Sequence, residues 1–139
     1  MQVLLDTNVV LDVLLSRERW LDDAKALWQA ADDGRMTGYL TASTLTDVFY
    51  VALRLADIPQ AKQSVQLCLD AFEIVSVDRS VLERAQQLSG SDFEDNVQIA
   101  CAESIGLDAI VTRDTGSFAG STVSIWSPPE CRKRLEPRK

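Results

Sequence analysis

The chain contains no histidine. Imidazole general bases, Ser-His-Asp and Cys-His arrangements and histidine-based zinc sites are therefore excluded. Chemistry here must run on carboxylates, hydroxyls, lysine, arginine or a bound metal. Two acids stand where strands are expected to end. Asp6 follows the apolar Val3-Leu4-Leu5, and Asp114 follows Ile110-Val111-Thr112-Arg113. A third group, Asp92-Phe93-Glu94-Asp95, opens a helical stretch with three acids in four residues. Each has a plain structural reading: Asp6 as a cap at a strand-to-helix turn, Asp114 as a turn residue beside Thr115-Gly116, and Ser91-Asp92-Phe93-Glu94 as a capping box. Asp47 fits a Thr44-x-x-Asp47 cap in a first helical turn. Asp12, Asp22, Asp23, Asp32 and Asp33 read as solvated helix acids.

Taken together these acids point further. Carboxylates crowded together repel one another unless a cation intervenes, and a hard divalent ion with oxygen ligands is the natural partner. Such an ion polarises a phosphoryl oxygen and makes hydroxide available at neutral pH without histidine. Asp92 and Asp95, three residues apart on a helix, share a face and could reach one cation.

The elements that would position these acids alternate. Strands are expected over Val3 to Asp6, Thr37 to Ala42, Glu73 to Val77, Leu107 to Thr112 and Val123 to Trp126. Helices are expected over Asn8 to Leu15, Trp20 to Asp32, a Ser43/Thr44 cap through Leu55, Pro59 to about Ala71, Arg79 to Leu88 and Ser91 to Ser104. Gly34 ends the second helix, and Pro128-Pro129 closes the regular structure. Apolar strands alternating with helices imply a parallel sheet of four to five strands with helices on both faces, and sites at the carboxyl ends of its strands.

Length and composition fit one domain: 139 residues, 46% hydrophobic and 25% charged. Residues 1–131 are expected to form the domain and 132–139 a short basic tail. The net charge is −7, with +4 carried by Arg132 to Lys139 and −11 by the rest. An acidic body argues against generic binding of polyanions unless some acids hold cations. In the tail, Arg132, Lys133, Arg134, Arg138 and Lys139 read first as a solvated terminus and second as a contact for a phosphate backbone. The first residues lack a basic n-region, no apolar run is long enough to span a bilayer, and Cys68, Cys101 and Cys131 lack paired spacings. These features suggest a cytoplasmic protein with free thiols and no membrane partner.

With these residues in view, Asp6-Thr7-Asn8-Val9 after an apolar strand resembles the opening motif of PIN-domain nucleases. The segment Asp92-Phe93-Glu94-Asp95, then Ala100 and Ala102, then Gly106 to Asp114 and Phe118, resembles that family's C-terminal motif. The resemblance covers the whole chain and implies a single α/β/α PIN domain that cleaves RNA phosphodiesters with Mg²⁺ or Mn²⁺. It implies Asp6, Asp95 and Asp114 as metal ligands and catalytic acids, with Asn8 and Thr112 as polar supports and Asp92 as an auxiliary acid. The family usually places a glutamate early in the helix after the second strand; this chain has Asp47, one methylene shorter. Small stand-alone members are mostly VapC-like toxins, so the resemblance also implies an antitoxin partner and a homodimer. Two alternatives stand beside it. A catalytically weak interaction module of the same fold would suit the short Asp47. A haloacid-dehalogenase-like phosphatase would want Asp-x-Asp where this chain has Asp6-Thr7-Asn8. A receiver-type signalling domain lacks support, since no lysine follows a fourth strand.

Overall fold

The computed structural model describes residues 1–137. Five short strands, β1 (Gln2–Leu5), β2 (Thr37–Thr41), β3 (Glu73–Val75), β4 (Ala109–Val111) and β5 (Ser124–Trp126), form one sheet in the order β3-β2-β1-β4-β5. Every pairing is parallel: Val3 lies opposite Gly38 on one side and Ala109 on the other. The helices are α1 (Thr7–Leu14), α2 (Glu18–Asp32), α3 (Ala42–Leu55), α4 (Ile58–Ala71), α5 (Arg79–Gln87), α6 (Phe93–Ser104) and α7 (Pro128–Leu135). The expected α/β architecture with a central parallel sheet is the one found.

Alternation along the strands divides the core. Val3, Leu5, Ala109 and Val111 face a layer built from α1, α2, α3, α4 and α7, where Val10, Leu27, Val48, Cys68 and Cys131 are buried. Leu4 and Ile110 face α5 and α6, against Val81, Ala85, Val97, Ile99 and Cys101. Both faces of β1 and β4 are covered, so these strands read as unbroken apolar runs. Burial pushes the thiols up, Cys68 and Cys131 to about 12 and Cys101 to about 11. They behave as small hydrophobes.

Helix ends follow local chemistry. Asp57, Asp78 and Ser127 each accept a hydrogen bond from a backbone N–H of the first turn they precede. Gly34 follows α2 with φ +74°, the left-handed conformation that the predicted C-cap requires.

Three expectations are corrected. The cap of α3 is Thr41, whose hydroxyl accepts from the Thr44 N–H, so Asp47 lies in the second turn. The cap of α6 is Asp92, bonded to the Asp95 N–H, so the Ser91 capping box is out of frame by one residue. Pro128 and Pro129 open a helix, occupying its first turn where a missing N–H costs nothing. That helix packs on α2, with Cys131 buried and Leu135 against the core. Arg132 pairs with Asp23, and Arg134 lies over the Trp126 ring and within 3.7 Å of Glu130. Residues 132–135 are thus part of the folded domain; Arg138 and Lys139 lie outside the described residues.

Candidate metal centre

In this order the sheet grows one way from β1 through β2 to β3 and the other way through β4 to β5, leaving a crevice between β1 and β4 at their carboxyl ends where such sheets bind ligands. Asp6 is the first residue past β1, and its N–H is bonded to the Val111 carbonyl at the end of β4. It caps α1 and is nearly buried, with 9% of its surface exposed. Its Oδ1 accepts from the Thr7 N–H (2.7 Å) and the Gln98 amide (2.9 Å). Its Oδ2 accepts from the Thr112 hydroxyl (2.8 Å) and more distantly from Asn8 (3.4 Å). The cap reading of Asp6 therefore holds locally, but a cap uses one acceptor, and this carboxylate is fixed from four directions.

Asn8 joins the two strand ends. Its amide donates to Asp6, to Thr112 (3.5 Å) and to Asp114 Oδ2 (3.3 Å), while its Oδ1 accepts from the Arg113 N–H (3.5 Å). Thr112 is fully buried; besides donating to Asp6 it accepts from the Asp114 N–H (3.0 Å). Asp114 itself is exposed and starts the 3₁₀ turn Thr115–Ser117.

Asp95, in the first turn of α6, lies near enough to Asp6 and Asp114 to feel their charges. Its carboxyl is pushed up to about 6, mainly by burial, then by the charges of Asp92 and Asp6, with a smaller push from Asp114 opposed by a hydrogen bond from Ser117. Asp47 meets Glu94. That carboxyl contact, followed by burial and the charges of Asp47, Asp92 and Asp6, pushes Glu94 up to about 7 although its side chain is exposed. Asp92 is exposed at the helix cap and adds to the negative field on both neighbours. Hydrogen bonds thus join Asp6 and Asp114 through Asn8 and Thr112, and Asp95 adds its charge from α6. It sets Asp47, with Glu94, to the side of that group.

The donor set suits a hard cation: carboxylates on three elements, one rigidly held, with no histidine and no nearby thiolate. Burial raises Asp95 and the Asp47 contact raises Glu94, and in both the charges of neighbouring carboxylates add to the shift. Among the described residues, no three acidic or thiol side chains are already closed around one point. Asp114 is exposed, and Asn8 holds one of its oxygens. Gln98 Oε1, buried beside Asp6, has no hydrogen-bond partner among the described protein groups.

The Glu94 shift carries a prediction. A carboxyl whose folded value lies above its unfolded value stabilises the fold below the unfolded value and loses that contribution as pH rises through the folded one. Glu94→Gln, which mimics the protonated acid, should therefore leave Tm unchanged near pH 4 in EDTA. Near pH 8 it should raise Tm by about 2 °C, a modest figure because solvent screens the site. Thermal melts of both proteins across this range provide the check; a constant difference at every pH would contradict the assignment.

Several participants escape sequence inspection. Gln98 is uncharged and marked only by lying three residues after Asp95 on the same helix. Glu94 is visible only as one acid in a run. Asp12, expected to be solvated, is fully buried and paired with Arg113 (2.7 Å) and Arg17 (3.4 Å). Its one sequence signal is that α1 is otherwise apolar around it.

No curated protein gives a significant match to the sequence. Among solved structures the fold is similar to DNA-bound VapBC from Salmonella typhimurium (TM-score 0.73, 15% identity, 92% of this chain and 98% of that one). It is also similar to a toxin–antitoxin complex from Klebsiella pneumoniae (TM-score 0.66, 24% identity, 91% and 97%). A third is Mycobacterium tuberculosis VapC20, described as a sarcin–ricin loop cleaving toxin (TM-score 0.63, 14% identity, 78% and 86%). At these identities the likeness is one of fold. The sequence model of the PIN domain matches residues 2–116, from β1 through the segment that carries Asp114. The chain belongs to the PIN domain family.

Proposed function

We propose that this protein is an endoribonuclease that uses Mg²⁺ or Mn²⁺ held by Asp6, Asp95 and Asp114, and that it is the toxin of a toxin–antitoxin pair. The observation that carries the reading is the convergence of β1, β4 and α6 on one carboxylate group at the crevice between β1 and β4, in a chain of the PIN family. A divalent ion bound there would supply an activated water and charge stabilisation at the scissile phosphate.

The protein's own residues divide the remaining work. Asp6 is held as a carboxylate acceptor by the Gln98 amide, the Thr112 hydroxyl and the Thr7 N–H, so its geometry is set before any ligand arrives. Asn8 keeps Asp114 beside Asp6. Asp95 feels the charge of both from the N-terminus of α6, and Asp47 with Glu94 forms a second acidic pair beside them. Asp92 serves mainly as the cap that fixes that turn. In the basic C-terminal segment Arg132 and Arg134 are engaged with Asp23, Glu130 and Trp126, leaving Lys133 as the exposed cation of α7 without an ion pair among the described residues.

The toxin assignment draws on the fold neighbours, whose descriptions name a toxin–antitoxin complex, a DNA-bound VapBC and an RNA-cleaving toxin. An antitoxin partner, a homodimer and a cytoplasmic location belong to the same proposal. No helix among the described residues is long and apolar enough to cross a membrane. Asn8 replaces the second aspartate that a haloacid-dehalogenase-like phosphatase would need, and it serves as a donor between two acids.

The test is incubation of single-stranded and structured RNAs with the protein in Mg²⁺, Mn²⁺ or EDTA. Internal cuts that appear with metal and vanish with EDTA are expected. A folded protein that binds metal, cuts no RNA and binds a partner protein tightly would favour the interaction-module reading instead.

A further inference from the structure

We infer that Asp12 is a positioning residue for the metal centre, acting through Arg113 to fix the strand-end segment that carries Asp114. The inference rests on the metal-site reading above. Asp12 is fully buried on α1, one turn after Asn8. The Arg113 guanidinium grips it with both arms, Nε to Oδ2 at 2.7 Å and Nη2 to Oδ1 at 3.2 Å, while its Cζ lies over the Trp20 ring, 3.7 Å from the ring centre. Arg17 adds a third contact to Asp12 Oδ1 at 3.4 Å.

What Arg113 stands between gives this pair its significance. Thr112 and Asp114 direct their side chains to Asp6 and Asn8, whereas Arg113 between them reaches away to α1 and the start of α2. Three successive residues are thereby pinned to β1 and α1: Thr112 by Asp6, Arg113 by Asp12, and Asp114 by Asn8. Asp114 needs that support. It is exposed, its backbone (φ −102°, ψ 61°) belongs to neither strand nor helix, and only a 3₁₀ turn follows it.

Packing alone does not explain an acid at this position. A buried ion pair contributes little to stability relative to an apolar residue of similar size, and the neighbours of Asp12 on α1 are Val9, Val10, Leu11 and Val13. Apolar residues in place of both Asp12 and Arg113 would suit the core equally well, whereas removing either one alone strands the charge of the other. The fork geometry of an arginine on a carboxylate, clamped further by an aromatic ring, instead defines direction, which a leucine contact does not.

Asp12→Asn preserves shape while removing the charge and one acceptor. The full-length variant should retain its circular dichroism spectrum. Its affinity for Mn²⁺, measured by electron paramagnetic resonance of the free ion well below Tm, should fall about tenfold or more. The Asp114 amide signal in the metal-free ¹⁵N–¹H spectrum should move with it. Arg113→Lys keeps the positive charge but loses the fork and the stacking; it should weaken Mn²⁺ binding less, and it provides the test if Asp12→Asn does not fold. A purely structural role would lower Tm and leave the Mn²⁺ affinity of the folded protein alone. Wild-type affinity in the folded variants would therefore overturn this inference by itself. A wild-type protein that binds no Mn²⁺ would overturn the metal-site reading and this inference together.

Discussion

Asp6→Asn is expected to reduce RNA cleavage by about 10²–10³-fold, the loss typical of removing one preorganised electrostatic group from an active site. Asp6 is the most constrained acid in the centre, and its two oxygens divide four donors between them. Asparagine offers one acceptor oxygen, and its NH₂ would face donors that cannot both turn away. Thr112 already accepts from the Asp114 N–H, and the Thr7 N–H is fixed by the helix. The substitution thus removes a charge from the cation site and leaves buried donors partly unsatisfied, at a cost of about 1–3 kcal/mol. A melt lowered by several degrees, with circular dichroism unchanged at 25 °C, should accompany the lost activity. Cleavage assays on matched, folded protein check this; activity within a factor of a few of wild type would place the chemistry elsewhere.

The largest effect on stability is expected at Leu4. It lies at the middle of the central strand, fully buried, between β2 and β4, and faces the layer formed by α5 and α6. Leu4→Ala removes three carbons where strands on both sides hinder collapse, and should destabilise by about 3 kcal/mol. That corresponds to a Tm lower by about 10 °C for a domain of this size. Urea denaturation should show a reduced midpoint with an unchanged m-value, because the surface exposed on unfolding is the same. A loss below about 1 kcal/mol would mean that the α5–α6 layer packs less tightly on β1 than the structure places it. The position matters functionally because Asp6 extends from the end of the same strand.

The sequence made the sheet legible because its strands are apolar on both faces and separated by helices with clear starts and stops, which leaves few topologies open. Asp6 and Asp114 could be singled out because both follow strands. In a parallel sheet, position after a strand already specifies an edge of the molecule. Asp95 was visible through the density of acids at the start of a helix. Its relation to Asp6 depends on how α6 lies across the sheet, which local patterns do not contain.

The departures have equally local causes. Two consecutive prolines look like a stop, yet the first turn of a helix needs no N–H from either residue. With Ser127 ahead of them and Glu130 behind, they begin α7. Asp12 looks solvated because acids in helices generally are. Its burial is set by Arg113, 101 positions away, and by a tryptophan on a different helix. Gln98 carries no charge and belongs to no motif, so only the fold reveals that its amide supports Asp6. The shift of two helix caps by one to three residues has a simple origin: several hydroxyl and carboxylate residues stand in succession, and which of them caps is decided by where the preceding strand or loop ends.

Cleavage of RNA by this protein is expected to require a divalent cation held by Asp6, Asp95 and Asp114 at the carboxyl ends of β1 and β4. The most direct test is a crystal structure grown with Mn²⁺ and measured with data that record its anomalous signal. The expected result is an anomalous peak in the space bounded by these three carboxylates, with Asp114 and Asp95 drawn toward it and Asp6 unmoved. A well-ordered site with no peak there, at a Mn²⁺ concentration that supports RNA cleavage, would contradict it.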